Sequence, residues 1–155
     1  MSPITRSRAI GNIPNELMAE YYEQRGSAGL IITEGTSPSP IGLGYPRIPG
    51  IFSAAQVAGW KPVADAAHAK GAKLFMQFMH CGRVAHPLNL PSGARVLGPS
   101  AVAAAGAMYT SADGMKANGM PKAMTGADTS AATEEYAQAA RKRDPAAIHA
   151  VDISR

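Results

Sequence analysis

The sequence predicts an α/β fold built on a parallel sheet, and two observations carry that expectation. Short apolar runs rich in β-branched residues follow directly on glycine stops, at Leu30-Ile31-Ile32-Thr33 and again from Lys73 to Met79. Such runs fit strands buried on both faces. Helical patterns alternate with them, giving the order strand, helix, strand, helix, strand, which is two βαβ units with right-handed crossovers.

Each element has its own signal. Met1 to Thr5 reads as the end of an apolar strand. Asn12 and Pro14 open a helix with Leu17, Met18, Tyr21 and Tyr22 on one face, and Gly26 and Gly29 close it. After the Leu30 strand comes a glycine- and proline-rich loop from Gly35 to Gly50. Ser53 with Gln56 three residues on is a capping-box signature, with Phe52 and Val57 as a candidate hydrophobic staple. The helix that starts there presents Val57, Trp60, Ala64, Ala67 and His68 and stops at Gly71, with a kink expected at Pro62. From His80 to about Ser130 no period is sustained, and four methionines fall there: Met108, Met115, Met120 and Met124. A connection of that length is usually functional or carries small strands of its own. Thr129 or Ser130 is expected to cap a third helix, with Glu134 and Glu135 in its first turn and Asp144-Pro145 at its end. Ala146 to Arg155 reads as a frayed strand or a disordered end.

Composition narrows the function classes. The single cysteine, Cys81, has no partner for an intrachain disulfide, and no apolar segment precedes a small-residue cleavage site, so a cytoplasmic location is expected. No apolar run approaches the ~18 residues of a membrane span, so no membrane partner is expected. The net charge of +4 comes from 15 basic and 11 acidic residues, and half of the excess sits in the last fifteen positions. The other basic residues are scattered without interleaved aromatics, so no nucleic-acid partner is expected.

In a parallel α/β fold the ligand lies at the strands' C-terminal ends. That draws attention to Pro3-Ile4-Thr5, Thr33-Glu34-Gly35-Thr36 and Gln77-Phe78-Met79-His80. Gln77 is an amide inside an otherwise apolar strand and needs partners for both of its ends. They are either a neighbouring strand or loop, or the polar edge of a heterocycle. Strand parity puts Phe75, Gln77 and Met79 on one face and Leu74, Met76 and Phe78 on the other, toward the helices. Glu34 reads as hydrogen-bonded scaffold beside Thr33 and Thr36, with a general acid or base as the alternative. His80, Cys81 and His86 match no common zinc spacing, so no metal is expected and loop anchoring is the simpler role. Tyr21, Tyr22 and Trp60 read as packing, and Gly42-Leu43-Gly44 as a turn.

Several separated blocks carry a family likeness in the correct order. They are Pro3-Ile4-Thr5-Arg6-Ser7-Arg8-Ala9, Glu20-Tyr21-Tyr22-Glu23-Gln24-Arg25, Gly29-Leu30-Ile31-Ile32-Thr33-Glu34-Gly35-Thr36, Gly44-Tyr45-Pro46, Val57-Ala58-Gly59-Trp60-Lys61-Pro62-Val63, His68-Ala69-Lys70-Gly71 and Gln77-Phe78-Met79-His80-Cys81-Gly82-Arg83-Val84-Ala85-His86-Pro87. The chain resembles the old yellow enzyme family of FMN-dependent ene-reductases, in its bacterial alkene and nitroester reductase (N-ethylmaleimide reductase-like) branch. The likeness implies a partial (β/α)8 TIM barrel: the first three βα units, with a long loop after the third strand. It spans residues 1–141, leaving 142–155 as a tail outside the family pattern, of the kind a reading-frame change would leave.

The resemblance further implies an FMN cofactor, with hydride passing from NADPH through flavin N5 to an activated alkene or nitro compound. Residue by residue, it assigns Pro3 and Ile4 to packing beside the isoalloxazine, and Thr5 to a hydrogen bond near flavin O4 and N5 that tunes the reduction potential. Gly35 matches a small residue that lets the backbone approach the ring's carbonyl edge, and Gln77 matches the glutamine that reads the pyrimidine edge. At Met79 many members carry a tryptophan that lines the substrate pocket, so substrate preference is where this chain is expected to depart.

The family's substrate-binding His with its second His or Asn, its proton-donating Tyr and its phosphate-binding loops have no counterpart in these residues. A complete barrel takes ~250 residues against the 155 here, so the expectation is an N-terminal fragment that turns over little or no substrate by itself. The alternative is a non-catalytic interaction module or a half-barrel that self-associates through its exposed sheet edges.

Overall fold

The computed structural model describes residues 1–153. Three parallel strands form the main sheet in the order β1 (Leu30–Ile32), β2 (Lys73–Phe78), β7 (Ala150–Ile153). Helix α1 (Glu16–Glu23) precedes β1, α2 (Ala54–Ala69) connects β1 to β2 as expected, and α3 (Gly126–Arg141) leads back to β7. The long connection after β2 carries small strands of its own. β3 (Leu97–Gly98) pairs with β6 (Lys122–Ala123), and β4 (Ala107–Thr110) forms an antiparallel hairpin with β5 (Gly114–Ala117).

The core lies on one side of the main sheet. Ile31, Leu74, Met76 and Phe78 point from the strands into Met18 and Tyr22 of α1 and into Trp60, Val63, Ala64 and Ala67 of α2, all of them buried. The parity expected for β2 is therefore observed, since Leu74, Met76 and Phe78 are buried while Phe75 and Gln77 are half-exposed. The α1 face is narrower than expected: Met18 and Tyr22 are buried, Tyr21 is half-buried and Leu17 is exposed. The two helices approach closely where Gly59 meets Pro14, and a Cβ at Gly59 would lie 2.7 Å from the Pro14 carbonyl oxygen. Trp60 Nε1 donates to the Gly50 carbonyl at 3.1 Å, tying the glycine- and proline-rich loop to α2.

Helix starts follow their caps. Asn15 caps α1 by accepting from Met18 N, and the Ser53–Gln56 capping box opens α2 as read from the sequence. Phe52 and Val57 pack into different clusters, so the expected staple is not formed. α2 runs without a break through Pro62, which is exposed. α3 starts earlier than Thr129 or Ser130, because Thr125 and Asp128 form a capping box, and Glu134 and Glu135 consequently fall in mid-helix. Asp in the reciprocal position departs from the usual Glu or Gln, which hides this start from a pattern search.

Two further departures concern the sheet. Met1 to Thr5 is not a strand, although it lies along β1: the Met1 amino group donates to the Leu30 carbonyl at 2.6 Å and the Met1 carbonyl accepts from Ile32 N at 3.1 Å. Pro3 has no N–H to continue that ladder. The second departure is in the segment from residue 142, read from the sequence as a frayed strand or a disordered end. In its described part Ala146 and Ile148 are buried in the core and β7 pairs with β2, Phe75 to Ala150 through Phe78 to Ile153. His149 joins in by accepting from Leu74 N through Nδ1 and packing edge-on against His68, ring centroids 4.6 Å apart.

Candidate flavin site

The C-terminal ends of β1 and β2 are joined by an irregular ladder. The regular pairing ends at Ile32 with Phe75 and resumes at Thr36 with Phe78, four residues on one strand against three on the other. That extra residue is a β-bulge. Inside it the Gln77 backbone N–H donates to Thr33 Oγ1 at 3.1 Å instead of to a carbonyl, and Thr36 N takes up the Gln77 carbonyl at 2.8 Å. The Thr33 and Thr36 hydroxyls both donate to the Glu34 carbonyl, at 2.9 and 3.0 Å. These buried threonines hold the bulge in shape.

The bulge sends neighbouring side chains in different directions. Glu34 is buried against the N-terminal arm, where Oε2 accepts from Arg6 N at 3.0 Å, while its own N–H donates to the Tyr22 hydroxyl at 2.9 Å. Burial pushes the Glu34 carboxyl up from its ordinary value, against the pull of the Arg6 backbone and charge, the Ser7 N–H and the Tyr22 hydroxyl. The Tyr22 phenol is pushed well up by burial and by Glu34. Glu34 Oε1 is buried with no partner among the described residues. A cavity of about 280 Å³ lies on this side, lined in part by Arg6, Arg8, Tyr21 and Gln24, and none of the residues assigned to flavin by resemblance lines it.

Gly35 goes the other way, against Met79. A Cβ on Gly35 would lie 2.5 Å from Met79 Cε and 2.8 Å from its sulfur, so the absence of a side chain is what lets the thioether lie there. Next to it on β2, Gln77 donates from Nε2 to Asp152 Oδ2 of β7 at 2.9 Å. The bond to a neighbouring strand, one of the two roles open to this amide, is thus present. Gly35, Gln77 and Met79 come together at the ends of one strand pair. Pro3, Ile4 and Thr5 lie on the adjoining arm beyond β1, Pro3 half-buried and Ile4 and Thr5 exposed, with no side-chain hydrogen bond to those three among the described residues.

The histidines and the cysteine of the following loop are anchors. His80 Nδ1 accepts from Gly82 N at 3.0 Å and His86 Nδ1 from Leu88 N at 3.2 Å. Burial lowers the His80 imidazole and pushes the Cys81 thiol up to about 11, so neither a cation nor a thiolate is favoured there at neutral pH. Among the described residues no group of three or more His, Cys, Asp or Glu is disposed to hold a metal ion. Sequence reasoning missed Asp152, the bulge and the Tyr22–Glu34 bond. Asp152 had a signal, a polar residue within the apolar run Ala150-Val151-Asp152-Ile153, which repeats the placement of Gln77 in β2.

A parallel sheet with helices on one face, polar groups gathered at the strand ends and its other face open is a sector of a (β/α) barrel. The chain belongs to the NADH:flavin oxidoreductase / NADH oxidase family, whose model matches residues 1–155, a stretch that includes the segment after Arg141. It is a family of FMN-dependent oxidoreductases.

Among curated relatives, 12-oxophytodienoate reductase 7 of Oryza sativa subsp. japonica is 50% identical over 95 residues, 61% of this chain and 24% of the relative. Chanoclavine-I aldehyde reductase fgaOx3 of Penicillium roqueforti (strain FM164) is 39% identical over 158 residues, 99% of this chain and 40% of the relative. Among solved structures, the old yellow enzyme homologue from Zymomonas mobilis superposes with a TM-score of 0.93 at 42% identity, covering 99% of this chain and 42% of that one. Morphinone reductase gives a TM-score of 0.92 at 40% identity, with 99% and 42% covered. The chain thus spans between a quarter and about two fifths of the length of these relatives.

Proposed function

We propose that these residues supply one side of an FMN site for ene-reductase chemistry, with NADPH as hydride donor and an activated alkene or nitro compound as acceptor, in the cytoplasm. What supports the reading is the donor set at the ends of β1 and β2. A flavin's pyrimidine edge alternates carbonyl, N–H and carbonyl, and an amide such as Gln77 offers one acceptor and one remaining N–H to it. Gly35, buried beneath Met79, brings no side chain to that corner, and Thr5 is exposed on the adjoining arm. Pro3 and Ile4 would supply apolar contact to the ring, and Met79 the wall facing substrate.

Bound FMN supplies hydride transfer. The protein's part is to orient and to polarise. Gln77 holds the pyrimidine edge, and a hydroxyl donor at Thr5 stabilises negative charge that accumulates on the ring. Met79 gives a flexible apolar wall where a rigid ring would select by shape. By itself the chain is expected to turn over little or no substrate, because the groups that would grip the substrate oxygen, donate the proton and hold the phosphate have no counterpart in it.

Titration of the purified chain with FMN, followed by flavin fluorescence, tests the cofactor reading. Quenching that is weakened in Gln77→Ala is expected, and no quenching by the unaltered chain would overturn it. NADPH oxidation with 2-cyclohexenone as acceptor tests the second part, where a robust rate would refute inactivity. A second reading has its own support: Leu30 and Ile153, at the two outer strands of the main sheet, are 41% and 59% exposed. Self-association through those edges would appear in size-exclusion chromatography as a concentration-dependent oligomer without flavin.

A further inference from the structure

Gln77 and Asp152 are register partners on adjacent parallel strands, and their side chains meet at 2.9 Å. An ionised carboxylate only accepts hydrogen bonds, so the end of the amide that faces Asp152 has to be the NH2. Gln77 Oε1 takes no hydrogen bond from any described residue. The contact therefore leaves one N–H and the whole carbonyl oxygen of Gln77 for a ligand, in a fixed order. Without the carboxylate the amide could turn over, and half of its orientations would set donor against donor at an imide edge.

We propose that Asp152 is a positioning residue: by engaging one amide hydrogen of Gln77 it fixes which end of that amide meets the flavin, so that Oε1 accepts from the ring N3–H and the second N–H donates to a carbonyl beside it. The proposal rests on the FMN reading above. It assigns a role in cofactor recognition to the segment after Arg141, which the likeness in separated blocks left out. It also explains why a polar residue stands in a strand whose neighbours Val151 and Ile153 are apolar.

The test uses the 155-residue chain, FMN, and FMN methylated at N3, with binding read by flavin fluorescence. The unaltered chain is expected to prefer FMN over the N3-methyl form. Asp152→Asn, whose own amide can present either end to Gln77, should weaken FMN binding about threefold to tenfold and narrow that preference. In a Gln77→Ala background the same change should have no further effect, because the two residues act as one unit. Equal affinity and equal preference in Asp152→Asn, or effects of the two changes that simply multiply, would overturn the role of Asp152 and leave the FMN reading standing. Failure of the unaltered chain to bind FMN would overturn both. A readout free of cofactor keeps the contact testable should Asp152→Asn bind poorly for other reasons. The side-chain amide protons of Gln77 in a ¹⁵N-labelled sample are expected to shift in Asp152→Asn and in Asp152→Ser, and unchanged resonances would refute the contact itself.

Discussion

Strand β2 has two faces that obey different rules. Toward the helices, Leu74, Met76 and Phe78 are buried and each touches the core. Toward the open side, Phe75, Gln77 and Met79 are half-exposed, and Gln77 and Met79 make specific contacts, an amide to Asp152 and a thioether over Gly35. The first face is finished by this chain's own helices. The second is laid out for something else to cover, and its residues are chosen for what they present. On the proposed reading, stability and function are thus separated by a single residue step along one strand, a consequence of side chains alternating with a period of two.

The largest test of this separation is a neighbouring pair of truncations. Leu74→Ala should cost about 2–5 kcal/mol, since it opens a cavity among helices that cannot collapse around it. Phe75→Ala removes a larger side chain from the half-exposed face and should cost only about 1 kcal/mol. Urea unfolding of the two variants decides it, and equal costs would mean that the open face is packed in solution, as self-association would make it.

Close approaches at two glycines give a second, smaller contrast. A methyl at Gly59 meets the backbone of Pro14, which cannot yield without moving α1 off α2, so Gly59→Ala should cost about 1–3 kcal/mol. A methyl at Gly35 meets chiefly the far end of Met79, which can swing aside, with Met79 Cβ at 3.1 Å left to give slightly, so Gly35→Ala should cost less, under about 1 kcal/mol. Thermal melts rank the pair, and the reverse ranking would show the strand-end face to be the more rigid one.

The smallest expected effect is a slope. Because burial holds the Glu34 carboxyl above its ordinary value, the folded chain keeps a proton that the unfolded chain has already released. Stability from this group is full below the ordinary glutamate value and falls as pH rises toward the raised one. Glu34→Gln should flatten that decline, measured as urea midpoints across mildly acidic pH. An unchanged slope would place the titration elsewhere.

What was legible in the sequence follows from how local each signal is. The Ser53–Gln56 box spans four residues, and the strand at Lys73 is bounded by glycine, so both could be read directly. Gln77 stood out because an amide inside an apolar strand needs explaining. β7 was hidden: Lys142-Arg143-Asp144-Pro145 interrupts the helical pattern, the strand is four residues long, and its partner lies some 75 positions earlier. Asp152 went unseen with it. The bulge was equally hidden, because it is a property of two strands counted against each other and neither strand carries it alone. The likeness in separated blocks identified the family, whereas the contact of Gln77 with Asp152 came only from the fold.

The extra residue at Thr33 to Thr36 has a consequence for how this strand end tolerates change. In an unbroken ladder from Ile32, alternation would turn Glu34 toward the open face and Gly35 toward the helices. The bulge inverts that parity: the carboxylate is tucked beneath the arm, and the position beside Met79 and Gln77 carries no side chain at all. Losing one residue here would shorten a loop only trivially, yet it would bring a carboxylate up to the place proposed for a ring that takes on negative charge as it is reduced. Insertions and deletions at this corner act as changes of charge.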